Sequence, residues 1–219
     1  MTSGSFAALT LVAPPAGAVT VTDEATFRTA FTDANETSIV LGADITLTCG
    51  GGGAVFRGSA SALTVDGAGH TITQSCADTD SLHQVSTGAL TFTDVTFTGG
   101  DSAVFSTNGG AVSLTRVTVT GLASTSGGII AVFTGGPLTV DQSTFRDFTA
   151  PDLVNIIAGQ QGPVTVTAST ISGLHATAGA ALAVTSIAGP LSFTDSSVRD
   201  LTATDVAIAV SSNSGSVTL

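Results

Sequence analysis

A chain of 219 residues is a prior of one to two domains and is long enough to bury a real core. Apolar residues make up 42% and charged residues only 10%, with eleven Phe and neither Trp, Tyr nor Lys. The net charge of −11 would repel phosphate backbones and excludes a nucleic-acid binder; no apolar run reaches the roughly 18 to 20 residues of a spanning helix; and the regular recurrence of Val, Leu, Ile and Phe excludes disorder.

Residues 1–18 read as the remnant of an export signal: the apolar run from Phe6 to Val12, then Pro14-Pro15 and the small residues Ala16-Gly17-Ala18, although no Lys or Arg precedes the run. Residues 19–50 read as an N-terminal cap and first coil. Asp23 is suited to N-cap a helix, and Phe27, Ala30, Phe31 and Ala34 recur at helical spacing, which predicts an amphipathic helix over Glu24 to Ala34 closing the first rung. Ile39 to Leu41 and Ile45 to Thr48 begin the strands.

Residues 51–219 carry a repeat. Leu63-Thr-Val-Asp66, Leu90-Thr-Phe-Thr93, Val112-Ser-Leu-Thr115, Leu138-Thr-Val-Asp141, Val164-Thr-Val-Thr167, Leu191-Ser-Phe-Thr194 and Val217-Thr-Leu219 start 27, 22, 26, 26, 27 and 26 residues apart, each alternating apolar and polar as a half-buried strand does. A Gly stands two places before six of them. A second strand follows each first one, as in Thr96-Phe-Thr98 and Thr170-Ile-Ser172, and a third apolar segment closes each repeat, as in Ala103-Val-Phe105 and Ile129 to Phe133. Three short strands per repeat predict a right-handed parallel β-helix of about seven coils, all-β but for the cap helix and about 35 Å long. The chain stops at Leu219 within a first strand, so a C-terminal continuation, or a homo-oligomer, is expected to cover that open end.

Cys49 and Cys76 are 27 residues apart, one repeat, which would set them on neighbouring turns. An even pair in an exported chain points to a disulfide; the other reading is two buried free thiols parted by coil offset.

Ile45-Thr-Leu-Thr-Cys-Gly-Gly-Gly52, Arg57, Leu63-Thr-Val-Asp-Gly-Ala-Gly-His-Thr-Ile72, Cys76 and Leu90 to Gly100 resemble secreted bacterial parallel β-helix proteins of the pectate-lyase-like superfold. Asn108-Gly-Gly-Ala-Val112 is similar to the Gly-Gly-Ala-Ile element of polymorphic outer-membrane adhesin repeats, without their Phe-x-x-Asn element. The resemblance spans about residues 20 to 219 and implies architecture and a secreted or cell-surface location; its members range from polysaccharide-degrading enzymes to catalytically silent surface proteins.

No catalytic, cofactor-binding or metal-ligating set is assigned. Asp66 and Asp141 face outward but are separated by the rungs of Thr93 and Thr115, Lys is absent as a lyase base, and His70, His83 and His175 are scattered. Two surfaces are candidate sites. Thr91, Thr93, Thr115, Thr165, Thr167 and Thr194 fall in outward hydroxyl columns on the first strands, and a matching column on the second runs Thr46, Thr71, Thr96, Thr118, Thr144, Thr170 and Ser197. In the third strands both alternating sets are apolar, so one must face out; Ile130, Val132, Ile156 and Ala158 then form an apolar stripe that a domain, subunit or ligand covers. Three functions stay open: a noncatalytic adhesion-type scaffold meeting an unknown protein or glycan surface, a fragment of a polysaccharide lyase or hydrolase, and an ice-binding protein using the Thr-x-Thr ladders.

Overall fold

The computed structural model describes residues 17–76, 79–101 and 104–219. The reading of residues 1–18 as a leader lies almost wholly outside the described residues. Within them the chain is a parallel β-solenoid of about seven turns, built from a nine-stranded first sheet and seven-stranded second and third sheets. Strand β1 (Val19–Val21) pairs in parallel with β2 (Ser38–Leu41), and every later strand pairs in parallel with those one turn before and after it. The first sheet collects the strands expected from the repeat, Leu63–Asp66 through Val217–Thr218; the second runs from β3 (Ile45–Leu47) to Ser197–Ala203, and the third from β4 (Val55–Arg57) to Ala207–Ser212. The third strand of the third turn comprises Phe105–Thr107, two residues later than expected, Ala103 being outside the described residues.

Alternation explains the interior. Val65, Phe92, Leu114, Val140 and Val166 stack behind the first sheet, and Ile72, Phe97, Val119, Phe145 and Ile171 behind the second, all with 0 to 1% exposure. From the third turn on, the bend between these sheets is made by one left-handed residue per turn: Asp94, Arg116, Gln142, Ala168 and Asp195, with φ from 47 to 54°. The next residue points inward. Where it is Ser, the buried hydroxyl is satisfied by the ladder itself: Ser169 Oγ donates to Thr167 O at 2.7 Å and accepts from Ser143 N at 3.0 Å.

The recurring Gly is a matter of space. Gly110, Gly136, Gly162, Gly189 and Gly215 lie one above another, and a Cβ on any of them would strike the backbone of the turn beneath; at Gly136 it would meet Gly110 O at 2.7 Å. Buried hydroxyls line this corner, with Ser186 Oγ donating to Gly189 O at 2.8 Å.

Helix α1 (Glu24–Thr32) covers the first turn. The Asp23 carboxylate accepts from Thr26 N at 2.8 Å while the Thr26 hydroxyl faces Asp23 N, a reciprocal cap. Phe27, Ala30 and Phe31 pack onto the core. The helix ends at Thr32, so Ala34, expected on the apolar face, lies beyond it and is exposed. The reason lies in the third strand of that turn, more than twenty residues on in the chain. Arg57, completely buried, donates to the carbonyls of Phe31 and Asp33 at 2.8 Å and of Glu36 at 2.9 Å, drawing the chain into an extended path after the last helical turn. Burial lowers the Arg57 pKa from its usual value against the pull of Asp33 and Glu36.

Cys49 and Cys76 form a disulfide with a Cα separation of 5.0 Å. It ties the glycine-rich loop after β3 to the next turn, and the same loop is held from above: Arg28 donates to Gly53 O and Ala54 O, and Glu24 accepts from the Thr48 backbone N–H and hydroxyl. Among the described residues no helix is long and apolar enough to cross a membrane.

Candidate functional site

A solenoid offers its ligands columns, because residues at equivalent positions stand one rung apart, about 4.8 Å. On the first sheet one outward column runs Thr64, Thr91, Ser113, Thr139, Thr165, Ser192 and Thr218, and its neighbour runs Asp66, Thr93, Thr115, Asp141, Thr167 and Thr194. The structure therefore brings the six expected threonines to one face: Thr91 and Thr165 in the first column, Thr93, Thr115, Thr167 and Thr194 in the second. Not every hydroxyl is free for a partner, since Thr167 Oγ1 donates to Asp141 Oδ1 at 2.8 Å.

The second sheet carries Thr71, Thr96, Thr118, Thr144, Thr170 and Ser197 in one column. Thr46 does not head it. Thr46 pairs with Thr73 and belongs to the adjacent column of Thr98, Thr120, Arg146, Ser172 and Arg199. The bend of the second turn is longer than the others, running Gly67-Ala68-Gly69-His70 between its strands, and this shifts the count by two.

Charge sits on these two faces and their shared corner. Arg116 donates through Nε and an Nη to both oxygens of Asp94, at 2.6 and 2.7 Å; the Arg116 hydrogen bonds hold the Asp94 carboxyl below its usual pKa, and Asp94 raises that of Arg116. Arg146 pairs with Asp147 at 2.6 Å. The Thr71 N–H, and after it His70, lower the Asp44 pKa, with His70 Nδ1 at 3.3 Å, so His70 sits in a turn contact with that carboxylate. Asp66 and Asp141 lie three rungs apart in one column, about 14 Å, against the roughly 5 to 9.5 Å between the carboxylates of a glycosidase. Among the described residues no three His, Cys, Asp or Glu side chains group as metal ligands.

The third sheet corrects the expected stripe. Ile130 and Ala158 do face outward, but Val132 and Ile156 are completely buried. The two-residue alternation breaks within these strands: Ile130 pairs with Asn155 and Val132 with Ile157, while Ala131 and Ile156 fall at the break, so two successive residues point inward. The outward columns are instead Ile130, Asn155, Leu182 and Ile208, and Phe56, His83, Ser106, Phe133, Ala158, Thr185 and Ser211. Phe56 stacks on His83 with ring centroids 4.8 Å apart, and His83 Nε2 lies 2.8 Å from Asp80. Phe56 is not among the residues expected on this face; the signal for it in the sequence is the polar residue at one inward register, Arg57, Gln84, Thr107, Thr134 and Ser186, which turns the residue before each of them outward.

Stacked parallel turns, a capped first rung and continuous outward columns define a surface-presenting parallel β-solenoid. Residues 18–130 match a family model described as "Putative pectate lyase-like adhesive domain", and the chain belongs to this family of pectate lyase-like adhesive domains. The match covers the cap and first turns and ends within the strand Ile129–Thr134; residues 131–219 continue the same three-sheet pattern. No curated protein matches the chain. Among solved structures it is similar to the L. reuteri 53608 SRRP, at 14% identity and a TM-score of 0.48, over 92% of this chain and 98% of that one.

Proposed function

We propose that the chain is a noncatalytic, exported or cell-surface adhesion module that contacts a protein or glycan surface through the threonine columns of its first sheet. Membership of the adhesive-domain family carries the reading. Two features support it: the columns run in register from Thr64 to Thr218, an extended face rather than a cleft, and the disulfide is of the kind that persists outside the cytosol.

The test is binding of the purified chain to immobilised polysaccharides and cell-surface proteins, run beside assays for reducing ends and unsaturated uronides with and without chelator. Saturable binding that falls at least tenfold in Thr93→Glu/Thr115→Glu/Thr167→Glu, with no product released, is the expected result. Cleavage of any polysaccharide would replace the adhesion module with an enzyme, and binding indifferent to the triple substitution would move the contact to another face.

A further inference from the structure

The third sheet differs from the other two in what it shows to water. Four of the large apolar side chains left exposed lie on its outer face or at that face's edge: Phe56 at 55%, Val85 at 49%, Ile187 at 48% and Ile208 at 37%, with Phe133 and Leu182 half-buried among them. None of the outward positions of its strands is Asp, Glu or Arg, and His83 is the one titratable side chain among them. In a chain of net charge −11 this is an unusual surface. A basic partner would be drawn to the faces that hold Asp44, Asp66, Asp141 and Asp147. A second copy of the same acidic chain is repelled there and can approach closely only where the acids are missing.

We infer that the outer face of the third sheet is a self-association surface, and that two copies pack through it side by side about a two-fold axis parallel to the solenoid axis. The size fits. Seven strands at about 4.8 Å span about 30 Å, and the strands are about 10 Å long in the first three turns and about 20 Å in the last four, giving on the order of 500 Å² per copy, or about the 1,000 Å² in total that a specific interface must reach. The edges choose the axis. Acids stand just before the strands, at Asp80, Asp152 and Asp205, whereas neutral amides stand at their ends, at Asn108, Gln160 and Asn213. A two-fold along the strands would set acid edge on acid edge. A two-fold along the solenoid reverses the strands and sets each acid edge against the partner's amides, which can donate to it.

This surface is a different face from the threonine columns and stands or falls apart from the adhesive reading.

Sedimentation equilibrium of the full chain tests it, and the expected result is a monomer–dimer equilibrium that tightens several-fold as salt screens the like charges. Phe133→Asp/Leu182→Asp should weaken dimerisation at least tenfold while circular dichroism and the melting midpoint stay near wild type. Ser106→Cys, on this face, should be joined to its two-fold mate by a bis-maleimide spacer of about 15 Å, since the axis runs between the two outward columns and sets the pair roughly 14 Å apart, and Thr139→Cys on the first sheet should not. A wild type that stays monomeric at high concentration and high salt, whether this face is then bare or serves another partner, overturns the inference. So does a dimer that survives the double substitution or cross-links through Thr139→Cys.

Discussion

The first and last rungs are made of the same kind of strand and fare differently. In the first, Ile39, Leu41, Ile45 and Leu47 are 0 to 1% exposed; in the last, Val217, which pairs with the buried Leu191, is 43% exposed and Leu219 81%. Alternation places apolar residues on the inner side in both. What differs is the lid: Phe27 and Phe31 of α1 lie over the first rung, and among the described residues nothing equivalent lies over the last. In a solenoid, burial is conferred by the adjacent layer, since each turn touches only its neighbours.

This contrast can be broken or sharpened by substitution. The largest effect is expected from Phe31→Ala, a cost of about 3 to 5 kcal/mol in urea unfolding, whereas Val206→Ala at the other end should stay within about 0.5 kcal/mol. Equal costs would show that α1 is not what protects the first rung. Cys49→Ser/Cys76→Ser should lose about 3.5 kcal/mol in the chain-entropy account of a loop this long, measured under nonreducing conditions against the disulfide-bonded wild type. Arg57→Ala leaves three carbonyls without their donor and should cost about 3 kcal/mol; Arg57→Lys keeps the charge but not the fork, and should recover only part of it.

The smallest effect is one of pH. The backbone N–H and hydroxyl of Thr26 lower the Asp23 pKa from 3.8; Glu24 is lowered from 4.5 because Thr48 and Arg28 outweigh the opposing effect of its burial. Groups depressed in the folded state stabilise it above their ordinary values and lose that contribution as pH falls through the folded ones. Hydrogen-exchange protection factors over Glu24–Thr32 should therefore hold down to about pH 5 and fall below about pH 4. Protection unchanged at pH 3 would remove the two carboxylates from the account of the cap.

Legibility in the sequence followed the range of the interactions. The first-sheet strands, the Asp23 cap and the Cys49–Cys76 pairing each rest on a short pattern or a single repeat length, and each is found in the structure. Thr46 was set in the wrong column because the second bend is longer than the rest. Val132 and Ile156 were placed outside because the alternation was carried through a point where the strand breaks it. Arg57 could not be read as an interior residue, because its partners Phe31, Asp33 and Glu36 are 21 to 26 residues away and are carbonyls, which leave no mark in composition.

By itself, then, the sequence determined the coil, its period and the chemistry of its threonine faces, because alternation and repeat length are local properties that neighbouring turns copy. Only the tertiary structure decided which column each side chain joins, which face of the third sheet meets water, and where α1 stops. Those depend on bend lengths and on hydrogen bonds between turns, where a shift of a single residue moves a side chain from the core to the surface.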